Sequence, residues 1–225
     1  ALRTKHLETL ADGIATSLGA NKNRISLYAD TSSFPEFKNP SGWKPNPMPR
    51  YVRNIFSLAV DGLGAFNAPE IAGKKLAKLL KDRGYKVRFV GNKKSDGVQI
   101  ATTNGYFLYS IVRNMLQDSD NTIAETLFRA SAAASGVTPT WNNSRNYAYQ
   151  VLTDLGLDTE NIHLTDGSGL SRTDRLTAHF LTSLLMAIVD EANPELNVIY
   201  DRRLLSTAGR NGTLRLRFGD TKTQC

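Results

Sequence analysis

The chain has 225 residues, 40% of them hydrophobic and 22% charged, a balance that supports a buried core and excludes a disordered segment. No run approaches the roughly 18 to 20 apolar residues of a membrane-spanning helix, and no charged start followed by an apolar stretch marks a secretion signal. The net charge of +7 would suit nucleic acid, an anionic membrane face or an acidic wall polymer. The basic residues, however, are scattered through Lys44 to Arg53, Lys74 to Arg83 and Arg210 to Arg217, mixed with structure-forming residues and forming no aromatic-interleaved basic groove, so nucleic acid is not expected as a partner.

Leu7, Leu10, Ile14 and Leu18 recur on one helical face, and Gly19 stops that helix. Ile25, Leu27 and Ala29 then alternate with polar residues as a half-buried strand. From Ser32 to Arg50 the prolines Pro35, Pro40, Pro45, Pro47 and Pro49 exclude either element and predict a surface loop. Ile55 to Val60 reads as a strand. Asn67, Pro69 and Glu70 predict the start of a helix that buries Ile71, Leu76, Leu79 and Leu80 and ends at Gly84. Tyr85, Val87 and Phe89 alternate with Lys86 and Arg88 as a further strand, closing a helix-and-strand region at about Gly97.

Beyond Gly105 the chain is mainly helical. Leu108, Ile111, Val112, Met115 and Leu116 form one stripe, Ile123, Ala124, Leu127 and Phe128 a second, Tyr147, Val151, Leu152 and Leu155 a third, and Leu176 to Val189 a fourth. Between the last two, Asp166-Gly167-Ser168-Gly169-Leu170-Ser171-Arg172 places two glycines around a serine, a tight loop that a plain connector would not need. The division predicted is 1–97 and 98–225.

The stretch with the most chemical content is Asp118-Ser119-Asp120-Asn121-Thr122-Ile123-Ala124-Glu125, at the junction of the first two stripes. Locally it describes a capped helix start: Ser119, Asp120 or Thr122 can accept the first free N–H groups, and Glu125 follows Thr122 at capping-box spacing. It also contains S-D-N, the second element of serine enzymes that act on peptides and β-lactams. In that role Ser119 relays a proton and the Asn121 amide holds the substrate backbone, tasks that need short polar side chains on a rigid turn.

Taken with Asp166 to Arg172 and with Gly209-Arg210-Asn211-Gly212-Thr213-Leu214-Arg215, the run Met115 to Glu125 resembles, in order and spacing, the domain-inserted D-Ala-D-Ala carboxypeptidase/endopeptidase group of penicillin-binding proteins. The resemblance extends from about Gly105 to Phe218. It implies an α/β (α+β) fold of the β-lactamase/transpeptidase-like serine acyl-transferase type, with residues 98–225 as the helical part of the catalytic domain and 1–97 as the remainder of inserted domains. It further implies Ser119 and Asn121 as catalytic residues. Leu170 and Arg172 would help line the pocket for the diamino-acid side chain of a stem peptide, where an arginine can pair with a carboxylate; their local alternative is a surface loop with a solvated arginine. The implied partners are peptidoglycan stem peptides and β-lactam antibiotics, with peripheral membrane association as an option, in an extracytoplasmic location.

The departures from that family are equally specific. It needs a nucleophilic S-x-x-K on a helix, and Ser41-Gly42-Trp43-Lys44 fits only as letters, because Pro40, Gly42, Pro45 and Pro47 oppose a helix there. It needs K-T-G on an edge strand, and Lys222-Thr223-Gln224 has glutamine where the substrate backbone requires glycine. The chain opens at Ala1 rather than Met and stops in a polar run, so it reads as a fragment, inactive by itself, whose nucleophile and last strand lie outside it. A catalytically dead peptidoglycan-binding relative and a β-lactamase are the alternatives. No cofactor or metal is expected: His6, His163 and His179 lack ligand spacing, Cys225 is the single cysteine, Ser168 lacks the G-x-S-x-G elbow and no phosphate-cradling glycine loop occurs.

Overall fold

The computed structural model describes residues 2–20, 24–35, 39–43, 51–61 and 67–217. These fall into two compact units, one of Ala1–Lys38 and Met48–Tyr106, the other of Asn39–Pro47 and Phe107–Cys225. Lys44, Pro45, Pro47 and Pro49 of the proline-rich loop lie outside the described residues, as do Lys222, Thr223, Gln224 and Cys225.

The first unit contains α1 (Thr4–Leu18), β1 (Arg24–Ala29), α2 (Ala68–Asp82) and β2 (Lys86–Asn92). β1 and β2 pair in parallel, with Ile25 opposite Val87 and Leu27 opposite Phe89 before a register shift puts Tyr28 opposite Gly91. Parallel strands require a long crossover, which is what the segment containing α2 supplies. The apolar stripes read from the sequence meet in a core of Ala11, Leu76, Ala77, Leu80, Tyr85 and Val87, beside a smaller cluster of Leu7, Val60 and Ala72. The Tyr85 hydroxyl lies 3.0 Å from the Ala15 carbonyl and 2.7 Å from that of Gly19, so the end of α1 and the start of β2 are fastened by one side chain.

Two local expectations change. Ile55 to Val60 forms no strand among the described residues; only Val60 pairs, in an isolated bridge with Leu2. Leu2 stands two residues before α1 begins, so it has no extended stretch to offer a longer ladder. Asn67 does occupy the N-cap of α2, but its side chain makes no cap hydrogen bond. Pro69 and Glu70 in the first turn remain as start signals, one by its fixed φ and the other by favourable interaction with the helix dipole.

The second unit is helical: α3 (Leu108–Asp118), α4 (Asn121–Ala134), α5 (Trp141–Asp154), α6 (Ala178–Val189), α7 (Pro194–Asp201) and a 3-10 turn at Gly212–Leu214. Thr140 and Thr177 cap α5 and α6 through their hydroxyls. A small apolar core of Leu157, Ile162 and Phe180, with Tyr149, Leu152 and Leu184 against it, supports the α5–α6 connection. Among the described residues no helix is long and apolar enough to cross a membrane.

Candidate functional site

Ser119 ends α3 in the left-handed conformation, φ 54° and ψ 48°, with its N–H bonded to the Met115 carbonyl. A serine in this region is uncommon and costs local strain. The conformation reverses the chain within two residues, so that Asn121 already begins α4. Asp120 takes the capping role, its carboxylate accepting the Ile123 N–H at 2.9 Å. Capping therefore consumes neither Ser119, which is exposed, nor Glu125, which is fully buried. Ser119 and Asn121 stand together on one turn fixed by two helices, while Asp118 and Gln117 just before them line an open cleft of about 330 Å³.

The opposite wall of that cleft is Gly212, Thr213, Arg215 and Leu216. Gly212 has φ 59°, and a Cβ there would run into Ser206 Oγ and stand 2.8 Å from the Gln117 carbonyl oxygen. Only a glycine allows this close approach. Gln117 Nε2 donates to the Arg203 carbonyl at 3.2 Å and Arg113 to that of Arg202 at 3.2 Å, which straps the segment after α7 along α3. The third stretch of the sequence resemblance is thus brought to the Ser119 turn from about ninety residues away.

Leu170 and Arg172 sit on a different structure, the loop whose base is closed by an antiparallel bridge between His163 and Arg175. Leu170 is half-buried and Arg172 exposed. The loop is wound around the Asp166 carboxylate, which accepts N–H groups from Gly169 at 2.7 Å, Ser171 at 2.7 Å and Ser168 at 3.1 Å, and the Trp43 indole N–H at 2.6 Å. Asp166 therefore shapes the loop. Ser171 Oγ donates to the Ser41 carbonyl and the Arg172 N–H to that of Gly42. Ser41 and Gly42 lie in a turn, not a helix, and serve as backbone acceptors for this loop.

The two residue pairs are linked through α4. Glu125, one turn beyond Asn121, accepts the Gly167 N–H at 3.1 Å and the Ser168 N–H at 3.0 Å with its two carboxylate oxygens. Burial, reinforced by the nearby Asp166 carboxylate, pushes its pKa up to about 7 against the opposing hydrogen bonds. Asp174, which accepts the Thr165 N–H, is raised as well, first by burial and then by Asp166. One turn further along α4, the buried Arg129 donates to the Pro139 carbonyl at 2.9 Å and lies 4.9 Å from the Trp141 ring, which packs 6.3 Å from that of Trp43. Among the described residues no cluster of His, Cys, Asp or Glu could hold a metal ion.

Glu125, Trp43, Arg129, Trp141 and Asp174 are the members of this network whose roles the local sequence does not show. Glu125 looks like a capping-box acid, and Trp43 is 123 residues from its acceptor. The one local signal is a carboxylate placed among the apolar positions of the second stripe, beside Ala124 and Phe128.

Residues 62–225 match the profile of the D-Ala-D-Ala carboxypeptidase 3 (S13) family. The chain belongs to that family. It is 34% identical over 150 residues to Carboxypeptidase DacB of Mycolicibacterium smegmatis, covering 67% of this chain and 32% of that protein. It is 32% identical over 152 residues to a carboxypeptidase of Mycobacterium tuberculosis, covering 68% and 32%. This member thus spans about a third of the length of the curated relatives it matches. Its fold is that of penicillin binding protein 4 of Haemophilus influenzae, with a TM-score of 0.70 at 19% identity over 97% of this chain and 64% of the other. The same Haemophilus protein complexed with a β-lactam matches with a TM-score of 0.66 at 18% identity, covering 97% and 62%. The resemblance read from Met115–Glu125, Asp166–Arg172 and Gly209–Arg215 is borne out at the level of family and fold.

Proposed function

We infer that this S13 chain is a segment of an extracytoplasmic serine-type D-Ala-D-Ala carboxypeptidase/endopeptidase that acts on peptidoglycan stem peptides through an acyl-enzyme and is acylated by β-lactams. Residues 98–225 are the helical part of its catalytic domain and 1–97 the remainder of inserted domains. The observation that carries the reading is the Ser119 turn: an exposed hydroxyl held in a strained backbone conformation between two helices, beside a cleft, in a chain whose family hydrolyses D-Ala-D-Ala. Strain of this kind persists where the surroundings over-determine it, and functional turns are where it collects.

In this mechanism a serine supplied from outside the segment attacks the carbonyl of the penultimate D-alanine. Ser119 passes a proton toward the departing D-alanine amine. The Asn121 amide holds the substrate backbone, and Leu170 with Arg172 receives the diamino-acid side chain, the guanidinium pairing with its carboxylate. Water then releases the acyl group. The segment alone lacks the nucleophile and is inactive.

Labelling with a fluorescent penicillin, read by intact mass, tests this. The full-length protein carrying this segment takes up one equivalent covalently, and the 225-residue chain takes up none. Stoichiometric labelling of the short chain that disappears in Ser119→Ala would instead make Ser119 the nucleophile. A full-length protein that never labels would be a peptidoglycan-binding relative without catalysis, and turnover of a chromogenic β-lactam would make it a β-lactamase.

A further inference from the structure

We propose that Glu125 is a positioning residue that sets the substrate side-chain selectivity of this site, by holding the loop that bears Leu170 and Arg172 in register with the turn that bears Ser119 and Asn121. The inference rests on the peptidase reading and adds a determinant to it. Glu125 lies four helical steps beyond Asn121, roughly 6 Å along the α4 axis. From there both carboxylate oxygens reach the loop backbone, Oε2 to Gly167 N–H at 3.1 Å and Oε1 to Ser168 N–H at 3.0 Å. Leu170 follows two residues later.

The contact has no slack. A Cβ at Gly167 would stand 2.5 Å from Phe128 Cβ and 3.0 Å from the Ala124 carbonyl oxygen, so the loop backbone rests directly on α4. Glu125 is 0% exposed, and the charge that acts with burial to raise its pKa is that of another carboxylate, Asp166. An apolar side chain would fill the space without the cost of desolvating a carboxyl group, but would leave the Gly167 N–H without this acceptor. What an apolar side chain cannot do is accept two adjacent N–H groups and thereby fix both the height and the rotation of the loop. The loop also has a second, independent anchor in Asp166, Trp43 and the Ser41–Gly42 backbone. Loss of Glu125 therefore shifts the loop without releasing it.

Glu125→Gln is the informative change, since an NH2 turned toward Gly167 would leave that N–H without this acceptor, and one turned toward Ser168 would leave that N–H to Asp166 alone. Gly167→Ala disturbs the same contact from the loop side with Glu125 intact. In the full-length protein, both are assayed on two peptides ending in D-Ala-D-Ala, one carrying the diamino-acid residue and one with alanine in its place. Expected is a rise of about tenfold in KM for the diamino-acid peptide, with kcat within about threefold and the KM of the alanine peptide within about twofold. Equal losses on the two peptides, or no change on either, would overturn the proposal. If Glu125→Gln does not fold, as judged by its tryptophan emission, Gly167→Ala decides by the same criteria. An unsubstituted protein that releases D-alanine from neither peptide would refute the peptidase reading itself, a result distinct from any loss of selectivity in the variants.

Discussion

The two units solve the placement of charge in opposite ways. In the first, the tightest positions are apolar, Leu80 and Val60 among them, and the carboxylate of Asp61 is matched by Lys75 at 2.6 Å and by Thr4, which hold it well below the usual carboxylate range. In the second, fully buried side chains include Glu125 and Arg129, and the Glu125 carboxyl is raised rather than lowered. Complementary charge at the surface costs little and steadies a fold. A carboxyl enclosed near a second carboxyl costs stability and returns geometry, here the attachment of the Asp166–Arg172 loop to the helix that begins at Asn121.

The comparison can be broken experimentally, because Trp43 and Trp141, the chain's two tryptophans, are both in the second unit. Emission follows that unit, while far-UV circular dichroism follows both. Leu80→Ala, at a position 1% exposed, should cost about 2–5 kcal/mol through lost burial and the cavity left behind. The dichroism transition should move to lower denaturant with the emission transition unchanged; movement of the two together would show that the units unfold as one.

The next effect is electrostatic and carries a definite sign. Glu125 has an ordinary value of 4.5 and a folded value of about 7, so between these the native state holds a proton that the unfolded chain releases. Stability of the second unit should therefore fall as pH rises from about 4.5 to about 7 and level off above, by on the order of 3 kcal/mol. Glu125→Gln should remove most of that slope in urea titrations followed by tryptophan emission. Asp174, raised in the same direction, supplies the remainder. An unchanged slope would mean that Glu125 is charged throughout and that the contrast between the units is overstated.

The smallest of the three concerns the cleft. Gly212→Ala must accommodate a positive φ and a methyl group against Ser206 and the Gln117 carbonyl, a cost of about 1–3 kcal/mol. Because that carbonyl lies two residues before Ser119, the same variant should also slow penicillin acylation of the full-length protein. Normal acylation with reduced stability would confine Gly212 to packing.

Much of this architecture is written in short-range pattern. α1, β1, α2 and β2 follow from stripes and alternation, and α3 to α6 from apolar residues at helical spacing. α7 escapes that reading because eight residues make barely two turns, too few for a period to stand out, and its Pro194 and Glu195 start signals follow directly on the turn that ends α6. Ile55 to Val60 has strand composition, but a strand exists only if a neighbour offers a ladder, and Leu2 offers one residue.

By itself the sequence pointed to the family, through the order and spacing of three short stretches, to α1–α6, β1 and β2, through local pattern, and to Ser119, Asn121, Leu170 and Arg172 as candidates. Only the tertiary structure decided that Glu125 serves the loop instead of the cap, that Trp43 reaches Asp166, and that Gly212 lies against Gln117. Those contacts join backbone and side-chain groups from about forty to more than a hundred residues apart. Hydrogen bonding at that separation depends on where helices pack, and it leaves no periodic trace in the chain.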